Sequence, residues 1–400
     1  MDHNIFTERV GRINPSATLE MTAKAAELKR LNKPVYNMSV GEPDFPTPKN
    51  IQDAGIFAIQ NGLTKYTPGS GTHELKSAIK GKLERDNSLY YDLNQIVVSC
   101  GGKHSLYNAC QVLFQKGDEV IIFTPYWVSF PDFISVTGAK PIAVKTNHKK
   151  QYEPDFEDLK NKINSKTKGI IINSPSNPTG GVWSNEAILE TLEICKHFNL
   201  WVFSDECYEQ LTYGSPFNSI ASLTNENNKI ITFQSCSKTY AMTGWRIGYL
   251  AGNKYLVKSI GKLQGQSTSC PNSIAQHAAI EALSGPQESV KEMRRIFEKR
   301  RNLIIQLIND IPHITCNIPN GAFYVFVNFN HYIGCRKVTG ELIESANDLC
   351  LYLLSETGVV SVSGESFGAP GYIRFSYATS DETIKKAMDL LKNAIGKLIF

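Results

Sequence analysis

The sequence predicts an α/β protein built on a mostly parallel sheet with helices on both faces. Three observations lead there. Short apolar runs alternate with helix-period segments through the middle of the chain. Most of those runs are apolar at successive positions, as strands buried between two helix layers are. Strands separated by a helix return in the same direction, so they pair in parallel.

Leu75, Ile79 and Leu83 recur every four residues and mark the first clear helix face. Strands are expected at Ile96–Cys100, Val120–Thr124, Gly169–Asn173, Leu200–Phe203, Ile230–Phe233 and Arg246–Ala251. Ile188, Leu192 and Cys195 mark a helix between the third and fourth of these. The end of the chain reads differently, with strands at Phe323–Phe329 and Tyr372–Tyr377 and helices near Gly340–Glu356 and Asp381–Lys397. A chain of 400 residues outgrows a single core, which rarely exceeds about 250–300 residues. Two lobes are therefore expected. Residues 49–319 form the large domain, 320–400 a small C-terminal domain, and 1–48 an N-terminal segment that joins the small one.

Hydrophobic residues make up 42% and charged residues 20%, the balance of a folded soluble protein. A net charge of +4 on this size argues against a nucleic acid or a membrane as the main partner. No apolar stretch approaches the roughly 18–20 residues that span a bilayer. Met1-Asp2-His3-Asn4 lacks the basic start of an export signal. Nine cysteines without a Cys-x-x-Cys fit reduced thiols in a cytoplasm. Familiar nucleotide and metal motifs are broken. Glu74 stands where a dinucleotide fingerprint beginning at Gly69 needs its last glycine, and Ser77 where a zinc helix beginning at His73 needs its second histidine. No metal is expected.

The densest chemistry lies in Ser235-Cys236-Ser237-Lys238-Thr239-Tyr240-Ala241-Met242-Thr243-Gly244-Trp245-Arg246-Ile247-Gly248. Lys238 follows a buried-strand pattern, and its amine can condense with an aldehyde cofactor. Ser235 and Ser237 can donate to a phosphate, and Arg246 can grip one with two parallel bonds. A lone lysine at a loop mouth is more often only a surface residue. Ser99-Cys100-Gly101-Gly102-Lys103 lies where a strand meets a helix start, whose backbone N–H groups attract an anion. Arg374, inside the apolar run Ile373–Ser376, needs a buried anion, either a ligand carboxylate or an ion-pair partner.

The Lys238 segment closely resembles the cofactor attachment site of class I and II aminotransferases. The resemblance extends over essentially the whole chain. It implies fold type I of the pyridoxal-phosphate enzymes, with a seven-stranded type of sheet between helices and a small α+β domain. It implies a homodimer with shared sites and pyridoxal 5'-phosphate on Lys238. In that family Asp205 pairs with the ring nitrogen of the cofactor, and Tyr208 and Asn177 reach its phenolic oxygen. Trp127 stacks on the ring. Gly102, Lys103, Ser235, Ser237, Arg246 and the Tyr66 of a second copy hold the phosphate. Gly41, Trp127, Asn177 and Arg374 contact the substrate.

Asn14-Pro15-Ser16-Ala17-Thr18 and Gly102-Lys103 resemble the bacterial, Thermus-type branch of aspartate aminotransferases. That likeness implies that Ser16, Thr18 and Lys103 hold a distal carboxylate, with aspartate and 2-oxoglutarate as the pair. Helix capping is the plain alternative for Ser16 and Thr18. Relatives that accept prephenate carry a basic residue where Asn14 stands, so only weak prephenate activity is expected. The competing functions are an aminotransferase for aromatic or neutral amino acids, a lyase on the same fold, and a non-catalytic regulator. A regulator would need a DNA-binding extension, for which no room is expected before Tyr36.

Overall fold

Seven strands make the central sheet of the computed structural model, which describes residues 7–13, 17–214, 217–226 and 228–400. In chain order they are β1 (Ile96–Ser99), β2 (Glu119–Phe123), β3 (Lys140–Val144), β4 (Thr167–Asn173), β5 (Trp201–Asp205), β6 (Ile230–Ser235) and β7 (Gly248–Ala251). They lie in the order β1-β7-β6-β5-β4-β2-β3. Every pair is parallel except those of β7, which runs antiparallel to both β1 and β6. The expected mainly parallel α/β architecture is thus present.

Alternate residues of the strands feed two apolar layers, because successive side chains point to opposite faces. Ile96 and Val98 join Leu75, Ile79, Leu83, Ile188 and Leu192 on one side. Val97 turns to the other side with Leu106, Ala109, Phe133 and Ile260. Both faces of the sheet are covered, which explains why its strands lack a polar alternation.

One strand is unexpected, and several expected elements shift at their edges. β3 went unpredicted because it is a half-exposed edge strand carrying Pro141, which a central strand would not tolerate. The last strand of the large sheet begins at Gly248, not Arg246. Arg246 has a left-handed backbone, φ 58°, and closes the one-turn helix Thr243–Trp245. The helix expected from Gly340 begins at Ala346, where Ser345 caps it by accepting from the Asp348 N–H at 3.2 Å.

A second, antiparallel sheet orders Thr315–Cys316, Tyr324–Asn328, Tyr372–Ser376 and Val362–Ser363. The helices Ala346–Thr357 and Asp381–Ile395 pack on its core. The N-terminal part reaches the same lobe. Tyr36–Asn37 pairs in parallel with Val359–Val360, and the Ser376 N–H donates to the Met38 carbonyl at 2.7 Å. No helix among the described residues is long and apolar enough to cross a membrane.

Candidate active site

A cavity of about 900 Å³ opens at the carboxyl ends of β4, β5 and β6, between the central sheet and the second sheet. Ligands of open α/β sheets bind at such ends. β4 ends on Asn173, β5 on Asp205 and β6 on Ser235, and all three residues line the cavity. Of the sequence-predicted residues, Gly41, Gly102, Lys103, Trp127, Asn177, Asp205, Tyr208, Ser235, Ser237, Lys238, Arg246 and Arg374 share this one space.

One wall is an anion cradle. The helix Gly102–Leu113 starts here, with Gly101 ahead of it at φ 91°. A Cβ on Gly101 would lie 2.5 Å from Arg246 Nη2, so only glycine lets the guanidinium lie against the turn. A Cβ on Gly248 would lie 2.1 Å from the Gly102 nitrogen, which makes the strand–helix approach equally dependent on glycine. Arg246 is exposed to the cavity and donates to the carbonyls of Thr243 and Cys100 at 2.8 and 3.3 Å. Ser235 Oγ donates to Ser237 Oγ at 2.8 Å. Free helix N–H groups, two hydroxyls and a guanidinium on one spot form a phosphate-type site.

Lys238 follows in the one-turn helix Cys236–Thr239, whose N-cap Ser235 accepts from the Ser237 N–H at 3.1 Å. Its Nζ donates to the Gly41 carbonyl at 2.5 Å. Burial lowers the Lys238 pKa, Cys207 and Glu42 oppose that, and Arg246 and Arg374 add to it. An amine so placed loses its proton more readily than a surface lysine. Asp205 is pushed up to about 7, first by burial and then by neighbouring Glu206, while the Cys207 N–H and Lys238 pull it down. The Cys207 N–H donates to Asp205 Oδ1 at 3.2 Å. Asp205 is therefore a buried carboxylate short of a cation.

Arg374 is the counterpart. It is buried, and among the described residues no acidic side chain forms a salt bridge with it. Nη1 donates to Asn177 Oδ1 at 2.8 Å and Nη2 to the Ser39 carbonyl at 2.6 Å, while Nε has no partner. Among the described residues no ion pair accounts for Arg374, and burial works against its charge. The guanidinium lies 4.6 Å over the Tyr324 ring and 5.0 Å over Phe367. Tyr208 OH lies 2.9 Å from Tyr324 OH.

The outer end of the cavity is held differently. Lys103 Nζ lies 5.0 Å over the Trp127 ring. Burial and then Arg246 lower its pKa, with Asp132 opposing. Trp127 stands edge-on to Phe130 and Phe133. Tyr66 is 88% exposed and does not line the cavity of its own chain. Ser16, Asn14 and the Thr18 side chain lie outside the described residues.

Among the lining residues that the sequence does not single out, two matter to the site, Tyr324 and Cys207. Tyr324 touches Gly41, where a Cβ would lie 2.7 Å from its hydroxyl, and supports Arg374. No motif marks it, since its position depends on the register between Tyr324–Asn328 and Tyr372–Ser376. Cys207 lies between two assigned residues and could have been found by that adjacency.

The protein family described as aminotransferase class I and II matches residues 33–391. An aspartate aminotransferase of Geobacillus stearothermophilus is 44% identical over 389 residues, covering 96% of this chain and 97% of its own length. A probable aspartate/prephenate aminotransferase of Rickettsia bellii is 42% identical over 398 residues, 99% of this chain and 100% of its own. The crystal structure of the Rhizobium meliloti aspartate aminotransferase superposes with a TM-score of 0.94 at 39% identity, covering 98% of this chain and 99% of the other.

Proposed function

Because this chain belongs to the aminotransferase class I and II family, we propose that it transfers the amino group of L-aspartate to 2-oxoglutarate on pyridoxal 5'-phosphate. The fold is fold type I of that enzyme class. The observation that carries the proposal is the joining of three groups in one cavity: a half-buried lysine at Lys238, a cation-deficient carboxylate at Asp205 and an anion-deficient guanidinium at Arg374.

The residues fit the cofactor. Asp205 lacks the cation that a protonated pyridine nitrogen supplies. The turn at Gly101 and Gly102, with Ser235, Ser237 and Arg246, suits its phosphate. Tyr66 of a second copy completes that cradle in a homodimer. Its exposure supports this, as do exposed Ile56, Phe57, Ile59 and Leu63 nearby in the chain. Trp127 and Cys207 line the space for the ring. When bound, pyridoxal phosphate supplies an aldehyde carbon for the substrate amine and a ring that withdraws electrons from the α-carbon.

The protein side of the reaction follows from the geometry. Arg374 Nη1 and Nε and the Asn177 amide orient the substrate carboxylate. The Gly41 carbonyl holds Lys238 Nζ, and the Tyr324 ring supports Arg374. Lys238 Nζ, weakened as an acid-binding amine by burial, takes the α-proton and later returns one. Asp205 would pair with the ring nitrogen of the bound cofactor and favour its protonated form. Lys103 holds the distal carboxylate of aspartate, together with Ser16 and Thr18. Ammonium and hydroxyl donors satisfy one carboxylate without the fork of an arginine, so discrimination is looser.

Weak turnover of prephenate or aromatic substrates is a second reading. Apolar Ile13, Leu106, Phe133 and Val136 on the cavity wall favour it. A cytoplasmic location is proposed on nine cysteines that form no disulfide. The domain division proposed is 1–48, 49–319 and 320–400.

A panel of amino donors assayed with 2-oxoglutarate tests the function. Aspartate is expected to give the highest kcat/KM, and product without added oxo acid would instead indicate a lyase. Mixing Tyr66→Phe with Lys238→Ala chains tests the shared site. Hybrid sites that gather both defects, or neither, are expected, and unchanged parental activity after subunit exchange would contradict sharing.

A further inference from the structure

Behind the cavity, on the far face of the same strand ends, lies a buried polar network that the proposed reaction does not use. Its members are Lys82, Asn87, Glu206, Glu209, Gln234 and Tyr249. Side chains alternate along the chain as it leaves β5, so Asp205 faces the cavity and Glu206 turns away from it. Glu206 has no exposed surface, and its N–H still continues the sheet ladder by donating to the Phe233 carbonyl at 2.9 Å.

The charges of this network are unequally matched. Lys82, itself only 1% exposed, spends its three donors on Glu209, on Asn87 Oδ1 at 2.7 Å and on Gln234 Oε1 at 2.8 Å. Glu209 is thus neutralised. Glu206 is met only by neutral donors: Ser204 Oγ at 2.7 Å, Ser219 Oγ at 2.7 and 2.9 Å, the Ile220 N–H at 3.1 Å and Gln234 Nε2 at 3.1 Å. The Gln234 amide cannot be reversed, because its oxygen already accepts from Lys82 and from Tyr249 OH at 2.9 Å. Two of the donors, the backbone N–H and this amide, can only donate. Burial pushes Glu206 up to about 7 while the bonds donated by Ser219, Ser204 and Gln234 oppose it, so the carboxylate is ionised on the alkaline side of neutrality. Its charge has no cation beside it among the described residues, and Asp205 is its immediate neighbour in the chain.

We propose that Glu206 is a positioning residue that acts through Asp205: its uncompensated charge strengthens the hold of Asp205 on a protonated ring nitrogen in the cavity. The inference rests on the cofactor reading above. A negative charge behind a carboxylate makes it a stronger base, and burial keeps the interaction from being screened. Asp205 alone could equally have been paired with an internal cation. The buried lysine of the adjoining network, Lys82, is committed to Glu209.

The test uses holoenzyme assembled with pyridoxal phosphate labelled at the ring nitrogen, whose NMR shift reports protonation directly. The ring nitrogen of the wild type should be protonated on the alkaline side of neutrality. In Glu206→Gln the pH at which it deprotonates should fall by about one unit, a tenfold change in proton affinity. Glu206→Asp, which keeps the charge, should restore most of it. Lys82→Met with Glu209→Gln removes an ion pair of no net charge from the same network. It should lower the melting temperature and leave the titration in place. Ser219→Ala, a milder change that favours protonated Glu206, should shift the titration in the same direction by less, and serves if Glu206→Gln does not fold. An unmoved titration in Glu206→Gln, with a protonated wild type, overturns the proposal and leaves the cofactor reading intact. An equal shift in the charge-neutral double variant also overturns it. A wild-type ring nitrogen that is unprotonated, or label that fails to bind, defeats the cofactor reading and the proposal with it.

Discussion

The two ends of the cavity are built by different means. At the inner end Asp205 and Lys238 stand at or just beyond strand ends of the central sheet, and Arg374 stands within a strand of the second sheet. Each is held by hydrogen bonds: the Cys207 N–H to Asp205, Lys238 to the Gly41 carbonyl, and Arg374 to Asn177 and the Ser39 carbonyl. At the outer end Lys103 rests over the Trp127 ring. The inner end holds what any amino acid carries, an α-carbon and a carboxylate. The outer end meets the part that differs between amino acids. Rigid strand ends thus serve the shared chemistry, while longer side chains on helices and loops serve discrimination.

That contrast predicts losses that shrink and become more substrate-specific from the inner end outward. Asp205→Ala should lower kcat by about 10²–10³-fold, as removal of one preorganised electrostatic partner does. It should do so for every amino donor while cofactor absorbance persists. A variant within about tenfold of wild type would deny Asp205 its role. Arg374→Ala should lower kcat/KM for aspartate and alanine alike, by about 1.5–3 kcal/mol, the worth of hydrogen bonds to a charged group. A loss confined to aspartate would place Arg374 at the wrong end of the substrate. Lys103→Met should cost aspartate about 1–3 kcal/mol of transition-state stabilisation and spare alanine and phenylalanine. An equal loss on all three would mean that Lys103 serves the cofactor and that the two ends do not divide the work as described.

The same division governs what could be read from sequence. Lys238, Asp205 and Asn177 were legible because each follows an apolar strand run within one short segment. Local spacing carries that information. Tyr324 was not legible. It meets Tyr208 across 116 residues of chain, through the register of a separate sheet. Glu206 was passed over for the opposite reason. It sits beside Asp205, but its importance depends on which face it takes and on Lys82 being engaged elsewhere. Arg246 was placed inside a strand because Ile247–Ala251 is apolar, whereas its left-handed backbone is a property of the preceding turn. Strand β3 escaped notice because a half-exposed edge need not be continuously apolar.

The central claim is that Lys238 is the amine at the centre of this cavity's chemistry. The most direct measurement is borohydride reduction of the enzyme incubated with pyridoxal phosphate, followed by peptide mass mapping. The cofactor mass is predicted on the peptide bearing Lys238 and on no other lysine. Stable label on Lys103 or any other lysine, with Lys238 unmodified, would contradict the account.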